Sequence, residues 1–270
     1  MTTVKFKSLS SGSCGNCYFL GTFNQGGTCE AGILIDAGVS PRRLKKDFLQ
    51  EHLCMDDFCG ILVTHDHLDH IRSLGSFCKH VRRDVWTTAR LHNALERHTM
   101  CRDWIGTYRR ELSEGWNEIV PGRISARWFE VPHDASQTVG YAILIDGHRF
   151  VIITDAGRVT EEALNWARQA DTVVIESNYD TYMLEHGPYP RDLQQRIRDG
   201  HGHLSNMECA EAIGKFVHPG LKSIFLCHLS EHNNTPKLAL EESRKVLTGE
   251  YEGLRLVPLP RQTASPLFTL

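Results

Sequence analysis

The sequence predicts an α+β fold, a four-layer αββα sandwich made of two related halves, and three observations predict it. The first is an internal echo. Tyr18–Gly21, a glycine-rich turn and Ala31-Gly-Ile-Leu-Ile-Asp-Ala-Gly38 are matched in the second half by Gly140-Tyr-Ala-Ile-Leu-Ile-Asp146, the turn Gly147-His148 and Phe150-Val-Ile-Ile-Thr-Asp-Ala-Gly157. Each reads as strand, tight turn, strand and D-A-G, and each D-A-G leads into a helical segment. The second observation is that both halves continue into a short apolar strand, Gly60–Thr64 and Asp171–Glu176, that ends in polar residues. Such runs lack polar alternation, as central strands covered on both faces do. The third is composition. Hydrophobic residues make up 41% of 270, and with Gly counted and Tyr set aside the share is roughly 46%, inside the globular range of about 45–50%.

Read in order, the amino terminus MTTVKFKSLSSGSC carries no apolar signal region, and the longest clean apolar run is Val139–Ile145. A bilayer span needs about 20 such residues, so no membrane partner is expected. Nine Cys without an export signal favour reduced thiols and a cytoplasmic setting. Cys14-x-x-Cys17 has no second pair at zinc-ribbon spacing and reads as a small-residue turn. No Pro/Gly/Ser linker divides the chain, so residues 1–270 are expected to form a single domain. The net charge is −3, which advertises no general affinity for nucleic acid, while 15 His residues point to metal or acid–base chemistry.

The strongest local signal is Thr64-His65-Asp66-His67-Leu68-Asp69-His70, directly after a buried strand. Crowded imidazoles and carboxylates repel one another when charged and need partners when buried. A zinc or manganese ion removes both difficulties, because it takes neutral imidazole and ionised carboxylate as ligands. In an extended loop His65 and His67 point the same way and can grip one ion. Asp69 and His70 begin the next helix and face a second. Further candidates stand at strand ends: His133 after Phe129–Pro132, Asp155 after Val151–Thr154, and His228 after Ile224–Cys227. Taken singly, each is as readily a hydrogen-bonded structural residue as a ligand.

The order Asp36, H-x-H-x-D-H, His133, Asp155, His228 resembles the five motifs of the metallo-β-lactamase superfamily over essentially the whole chain. That resemblance implies that His65, His67 and His133 hold one divalent ion and Asp69, His70 and His228 the other. Asp155 would bridge them and Asp36 would orient the H-x-H loop. The ions would be Zn²⁺ or Mn²⁺, with Fe also compatible, and a bridging water would be the nucleophile, its pKa lowered far below that of bulk water.

Within the superfamily, Glu176-Ser-Asn-Tyr-Asp180 and Gly202-His-Leu-Ser-Asn206 are similar to the phosphodiesterase and nuclease members. The resemblance makes His203 the proton donor to the leaving oxygen and Glu176 its carboxylate partner, with Asp69 also in the catalytic set. His203 also reads simply as a residue leading into the helix begun at Ser205. His133 and Asp155 are only 22 positions apart, which leaves no room for the long arm of tRNA 3′-processing enzymes, and Ile175 stands where those enzymes commonly carry His. S-G-S-C-G-N, T-H-D-H-L-D-H, E-S-N-Y-D, G-P-Y-P-x-x-L-x-x-R-I, G-H-L-S-N and C-H-L-S-E-H-N-N together resemble the YycJ (WalJ) branch of bacterial proteins. That branch implies 5′-to-3′ exonuclease activity on double-stranded DNA.

Substrate grip is less marked. Ser11, Gly12, Ser13 and Asn16 can cradle a terminal phosphate or form an ordinary hairpin turn. Arg191, Arg196 and Arg198 can contact phosphates or be solvated helix charges. Ser205 and Asn206 lie beside the proposed acid. His80, His92 and His98 are expected at the surface. Two other functions compete with a nuclease: a hydrolase of a small cyclic phosphodiester, thioester or lactam, and a regulatory protein with a structural metal site.

Overall fold

The computed structural model describes residues 2–270, whose strands form two seven-stranded sheets. The first holds β1 (Thr3–Ser10), β2 (Cys17–Phe23), β3 (Cys29–Ile35), β4 (Gly60–Leu62), β5 (Asp84–Thr87) and β6 (Arg109–Glu111) in that order. The second holds β7 (Asn117–Val120), β8 (Ile124–Glu130), β9 (Val139–Ile145), β10 (His148–Ile153), β11 (Thr172–Glu176), β12 (Ser223–Cys227) and β13 (Arg255–Pro258). The C-terminal β14 (Phe268–Thr269) crosses back to pair with β1.

The internal echo is structural. β1, β2 and β3 run antiparallel and β3 to β6 parallel, while β7 to β10 run antiparallel and β10 to β13 parallel. Each D-A-G therefore sits where its sheet changes from antiparallel to parallel pairing. Its glycine permits a close approach: a Cβ on Gly38 would lie 1.9 Å from the Asp69 carbonyl oxygen, and one on Gly157 would lie 2.3 Å from that of Gly200. The turn is thereby stitched to the loop it faces, with Ala37 N–H donating to His70 O at 2.7 Å and Gly157 N–H to Pro132 O at 2.8 Å.

Side-chain alternation builds the layers. Ile33 and Ile35 of β3 and Phe150 and Ile152 of β10 face the interior between the sheets, with Phe6, Leu62, Val174 and Phe225. Leu34 and Ile61 face outward against Leu44 and Phe48 of the helix Pro41–Leu49. Val151, Ile153, Val173 and Ile175 face outward against the helices Glu161–Ala167 and Asn206–Phe216. Those helices start where capping chemistry permits: Thr160 accepts from Ala163 N–H, and Ser205 with Glu208 forms a reciprocal capping box. The αββα expectation is met. His92 corrects another, because it is fully buried, with its Nε2–H donating to the Arg110 carbonyl at 2.9 Å.

No described helix is long and apolar enough to cross a membrane, and the nine cysteines are free thiols. Phe6 packs across the two sheets, its ring 5.3 Å from Phe150 and 4.9 Å from Phe225. Phe6→Ala should leave a cavity there and cost about 3–5 kcal/mol, read as a lowered urea midpoint. A loss below about 1 kcal/mol would show that the inter-sheet core is not what holds the layers together.

Candidate metal centre

The site lies at the carboxyl ends of the parallel strands, where open α/β sheets collect ligands. Asp36 and His228 directly follow β3 and β12, Asp155 follows β10 after Thr154, and each adopts a left-handed backbone, with φ of 61°, 53° and 51° for Asp36, His228 and Asp155. Non-glycine residues hold such φ only when their surroundings over-determine it. The three side chains meet a shared set of partners there, with Asp36 Oδ2 2.7 Å from His70 Nδ1 and Asp155 Oδ1 3.2 Å from His228 Nδ1. The H-x-H-x-D-H segment enters from β4, and Asp69 and His70 fall in the single helical turn Leu68–Ile71.

Hydrogen-bond partners assign the imidazole tautomers. Thr64 Oγ1 donates to Asp36 Oδ2 at 2.9 Å and accepts from His65 Nδ1 at 3.0 Å, leaving His65 Nε2 free. Asp36 Oδ2 accepts from His70 Nδ1 at 2.7 Å, Gly202 O from His133 Nδ1 at 2.7 Å, and Glu176 Oε1 from His228 Nδ1 at 3.0 Å. All four rings thus turn Nε2 inward. His67 is reversed: its Nε2–H donates to the Asp134 carbonyl at 3.3 Å, and its Nδ1 sits 3.2 Å from His133 Nε2.

The free nitrogens gather with the carboxylates. Donor atoms of His65, His67 and His133 lie within 4.8 Å of one another, as do those of Asp69, His70 and His228, and those of His65, His70 and Asp155. Asp155 stands between the first two groups, with Oδ2 3.1 Å from His70 Nε2 and Oδ1 3.9 Å from His133 Nε2 and 3.2 Å from His228 Nδ1. A further grouping joins Asp155, Glu176, His203 and His228. The donors fit divalent cations on two counts. The set is neutral imidazole plus carboxylate, and His65 Nε2 is fully buried with no hydrogen-bond partner, an expensive state unless something electrophilic sits against it.

Electrostatics supports the same conclusion. Burial lowers the affinity of His65 and His133 for a proton, so both favour the neutral, ligand-ready form. For His70 and His228 burial acts the same way, but the Asp155 charge overcomes it, and His228 is pushed up to about 10. Burial would raise Asp155, yet the charges of His228 and His70 hold it well below the usual carboxylate range. Without an ion, protons on His70 and His228 do the neutralising.

Glu176 is the hub of the second half. Fully buried at the end of β11, it accepts from His203 Nδ1 at 2.7 Å and His228 Nδ1 at 3.0 Å through Oε1, and from Ala156 N–H and Leu204 N–H through Oε2. Burial works against an imidazolium at His203, but the Glu176 charge and hydrogen bond outweigh it and raise its pKa. His203 lines a cleft of about 280 Å³ together with His67, His133, His228, Ser13 and Tyr189.

The chain aligns with the beta-lactamase superfamily domain over residues 32–225. It is 34% identical over 244 residues to a Bacillus anthracis protein named exodeoxyribonuclease YycJ, covering 90% of this chain and 89% of that one. The chain belongs to the β-lactamase superfamily. A Streptococcus pneumoniae protein named exodeoxyribonuclease WalJ is 32% identical over 235 residues, covering 87% and 85%. Among solved structures, the metallo-β-lactamase fold protein YhfI from Bacillus subtilis superposes with a TM-score of 0.67 at 14% identity, covering 97% of this chain and 99% of that one, which is a likeness of fold.

For a superfamily member, several substrate-grip expectations fall elsewhere. Ser11 and Asn16 are fully buried behind the ligands. Ser11 Oγ accepts from His228 N–H at 2.9 Å, and Asn16 Nδ2 lies 3.0 Å from Asp69 Oδ2 and 2.8 Å from His70 Nε2. They pack against His228, Asp69 and His70, outside the residues that line the cleft. Ser205 is occupied as a helix cap, and Asn206 exchanges amide bonds with Asn234 at 3.0 and 2.8 Å. Arg191 is exposed and does not line the cleft, whereas Ser13 does. Sequence reasoning missed Thr64 and Asp134, and the available signal was adjacency: each is a polar residue next to a ligand at a strand or loop end.

Metal affinity should depend on pH differently at the two groups. An ion among Asp69, His70 and His228 must displace protons, so affinity there should rise with pH between 6 and 9, by up to about tenfold per unit for each proton displaced. The His65, His67 and His133 group, with two imidazoles already biased to neutral, should vary less. Calorimetric titration of the metal-free protein with Zn²⁺ or Mn²⁺ at several pH values reads this, and two sites of equal pH slope would contradict it.

Proposed function

We propose that this protein hydrolyses phosphodiester bonds in DNA as a metal-dependent 5′-to-3′ exonuclease on double-stranded ends. The observation that carries the reading is the His203–Glu176 pair set beside the metal-ligand cluster at the cleft. The names of the two relatives, similar over most of their lengths, favour the same substrate.

Two divalent ions would be held, one by His65, His67 and His133 and one by Asp69, His70 and His228, with Asp155 between them. Bound there, they would supply Lewis acidity toward a phosphoryl oxygen and activate water near neutral pH. The chain's own residues do the rest. Glu176 keeps His203 oriented and favours its protonated form through Nδ1, which leaves Nε2–H as the proton for the leaving oxygen. A poor alkoxide leaving group needs such a donor, and positioned acids contribute about 10²–10⁴-fold. Asp36 and Thr64 fix the rings of His70 and His65, so that donor nitrogens meet an ion without reorganising.

End-labelled duplex DNA with Mn²⁺ or Zn²⁺ tests the reading. The wild-type protein should release nucleotides from the 5′ end. His203→Ala should keep its bound metal yet lose about 10²–10⁴-fold in turnover, with the metal content measured on the same sample. Equal cleavage by His67→Ala would mark the activity as a contaminant's, and loss of metal from His203→Ala would make His203 a ligand.

A further inference from the structure

Apart from histidines, two charged side chains line the cleft among the described residues, Asp134 and Arg196, and they hold each other. Arg196, on the helix Arg191–Arg198, donates from Nε to Asp134 Oδ2 at 2.6 Å, and its terminal nitrogen bonds the same oxygen. The other carboxylate oxygen, Oδ1, lies 3.5 Å from His133 Nε2 and 3.7 Å from His67 Nε2. One carboxylate thus spans the wall of the cleft and two metal ligands on its floor. The neighbouring arginines differ: Arg198 is bound to Glu185 at 3.0 Å and Arg191 stands outside the cleft.

The pair is poorly suited to a purely structural role. Arg196 is 63% exposed and Asp134 27%, and ion pairs so exposed contribute little net stability. Both guanidinium contacts fall on a single oxygen, whereas a phosphate offers several oxygens to the same planar fork. Asp134 also sets a negative charge where an anionic substrate must pass.

We propose that Arg196 is the phosphate clamp of this cleft, held in place by Asp134 until a substrate strand exchanges a phosphate oxygen for that carboxylate. The clamp rests on the phosphodiester reading above. Asp134 thereby serves two ends: it keeps the long Arg196 side chain aimed into the cleft, and it screens the cleft from anions that cannot offer a better partner.

The test compares the wild type with Arg196→Ala, Arg196→Lys, Asp134→Asn and the double variant Arg196→Ala/Asp134→Asn on duplex DNA at saturating metal, over a salt series. Arg196→Ala should raise KM roughly tenfold, the loss carried by KM more than by kcat. It should also lower the slope of log(1/KM) against log salt by about 0.9, the contribution of one duplex phosphate contact. Arg196→Lys should fall between the two. Asp134→Asn should lower KM, and the double variant should regain only the small part of the Arg196→Ala loss that the Asp134 charge alone accounts for. An Arg196→Ala enzyme with KM within twofold of the wild type and an unchanged salt slope overturns the clamp. So does an Asp134→Asn enzyme that retains its metal and raises KM as much as Arg196→Ala, since the pair would then be a structural latch. Metal content is measured throughout because Asp134 neighbours two ligands; if Asp134→Asn loses metal, the Arg196 variants decide. A wild type that cleaves no DNA refutes the nuclease reading and the clamp together.

Discussion

Charge compensation among buried carboxylates and imidazoles is the constraint on which the rest of the structure depends. Asp36, Asp155 and Glu176 are shielded from water at the ends of three strands, and His65, His70 and His228 are packed against them. Isolated charges at such depth are prohibitively expensive, so the cluster is tolerable only as a set of hydrogen-bonded pairs completed by cations. The fold meets the requirement with two similar turns, in which D-A-G ends an antiparallel pair, opens a parallel one, and uses its glycine to come within contact of the opposing loop. The left-handed conformations of Asp36, Asp155 and His228 are the local cost of aiming side chains off strand ends.

How much of this was legible in the sequence follows from range. Contiguous features could be read: the short apolar runs, the D-A-G echo and the H-x-H-x-D-H spacing each lie within a few residues, the layers they implied are the ones found, and the His and Asp side chains they singled out do gather in space. Long-range hydrogen bonding could not. Nothing local says that Asn16 reaches His70 across the interior, that Ser11 caps the backbone of His228, or that Asp134 turns its carbonyl to His67 and its carboxylate to Arg196. The S-G-S-C-G-N stretch looks like a phosphate cradle in isolation because small polar residues serve equally to bind an anion and to satisfy buried neighbours. Only its burial decides between them. His92 misled for the same reason, since an amphipathic helix does not reveal which of its polar residues meets a carbonyl.

The net charge of −3 also reads differently once the charges have positions. Much of the acidic content near the site is bound up with histidines or with Arg196, and further out Arg109 is paired with Glu96 and Glu111 and Arg168 with Glu161. On the proposed reading, attraction for phosphate would be concentrated in the cleft, at bound cations and at Arg196, an arrangement that would suit engagement of a strand end at one place.

Two cations would complete the buried cluster, and anomalous diffraction from crystals grown with Zn²⁺ or Mn²⁺ tests this most directly. Two peaks are expected, one among His65, His67 and His133 and one among Asp69, His70 and His228, with Asp155 touching both and His203 touching neither. A single peak held by Asp155, Glu176, His203 and His228 would contradict it, because the residue assigned to carry the proton would then be holding the metal.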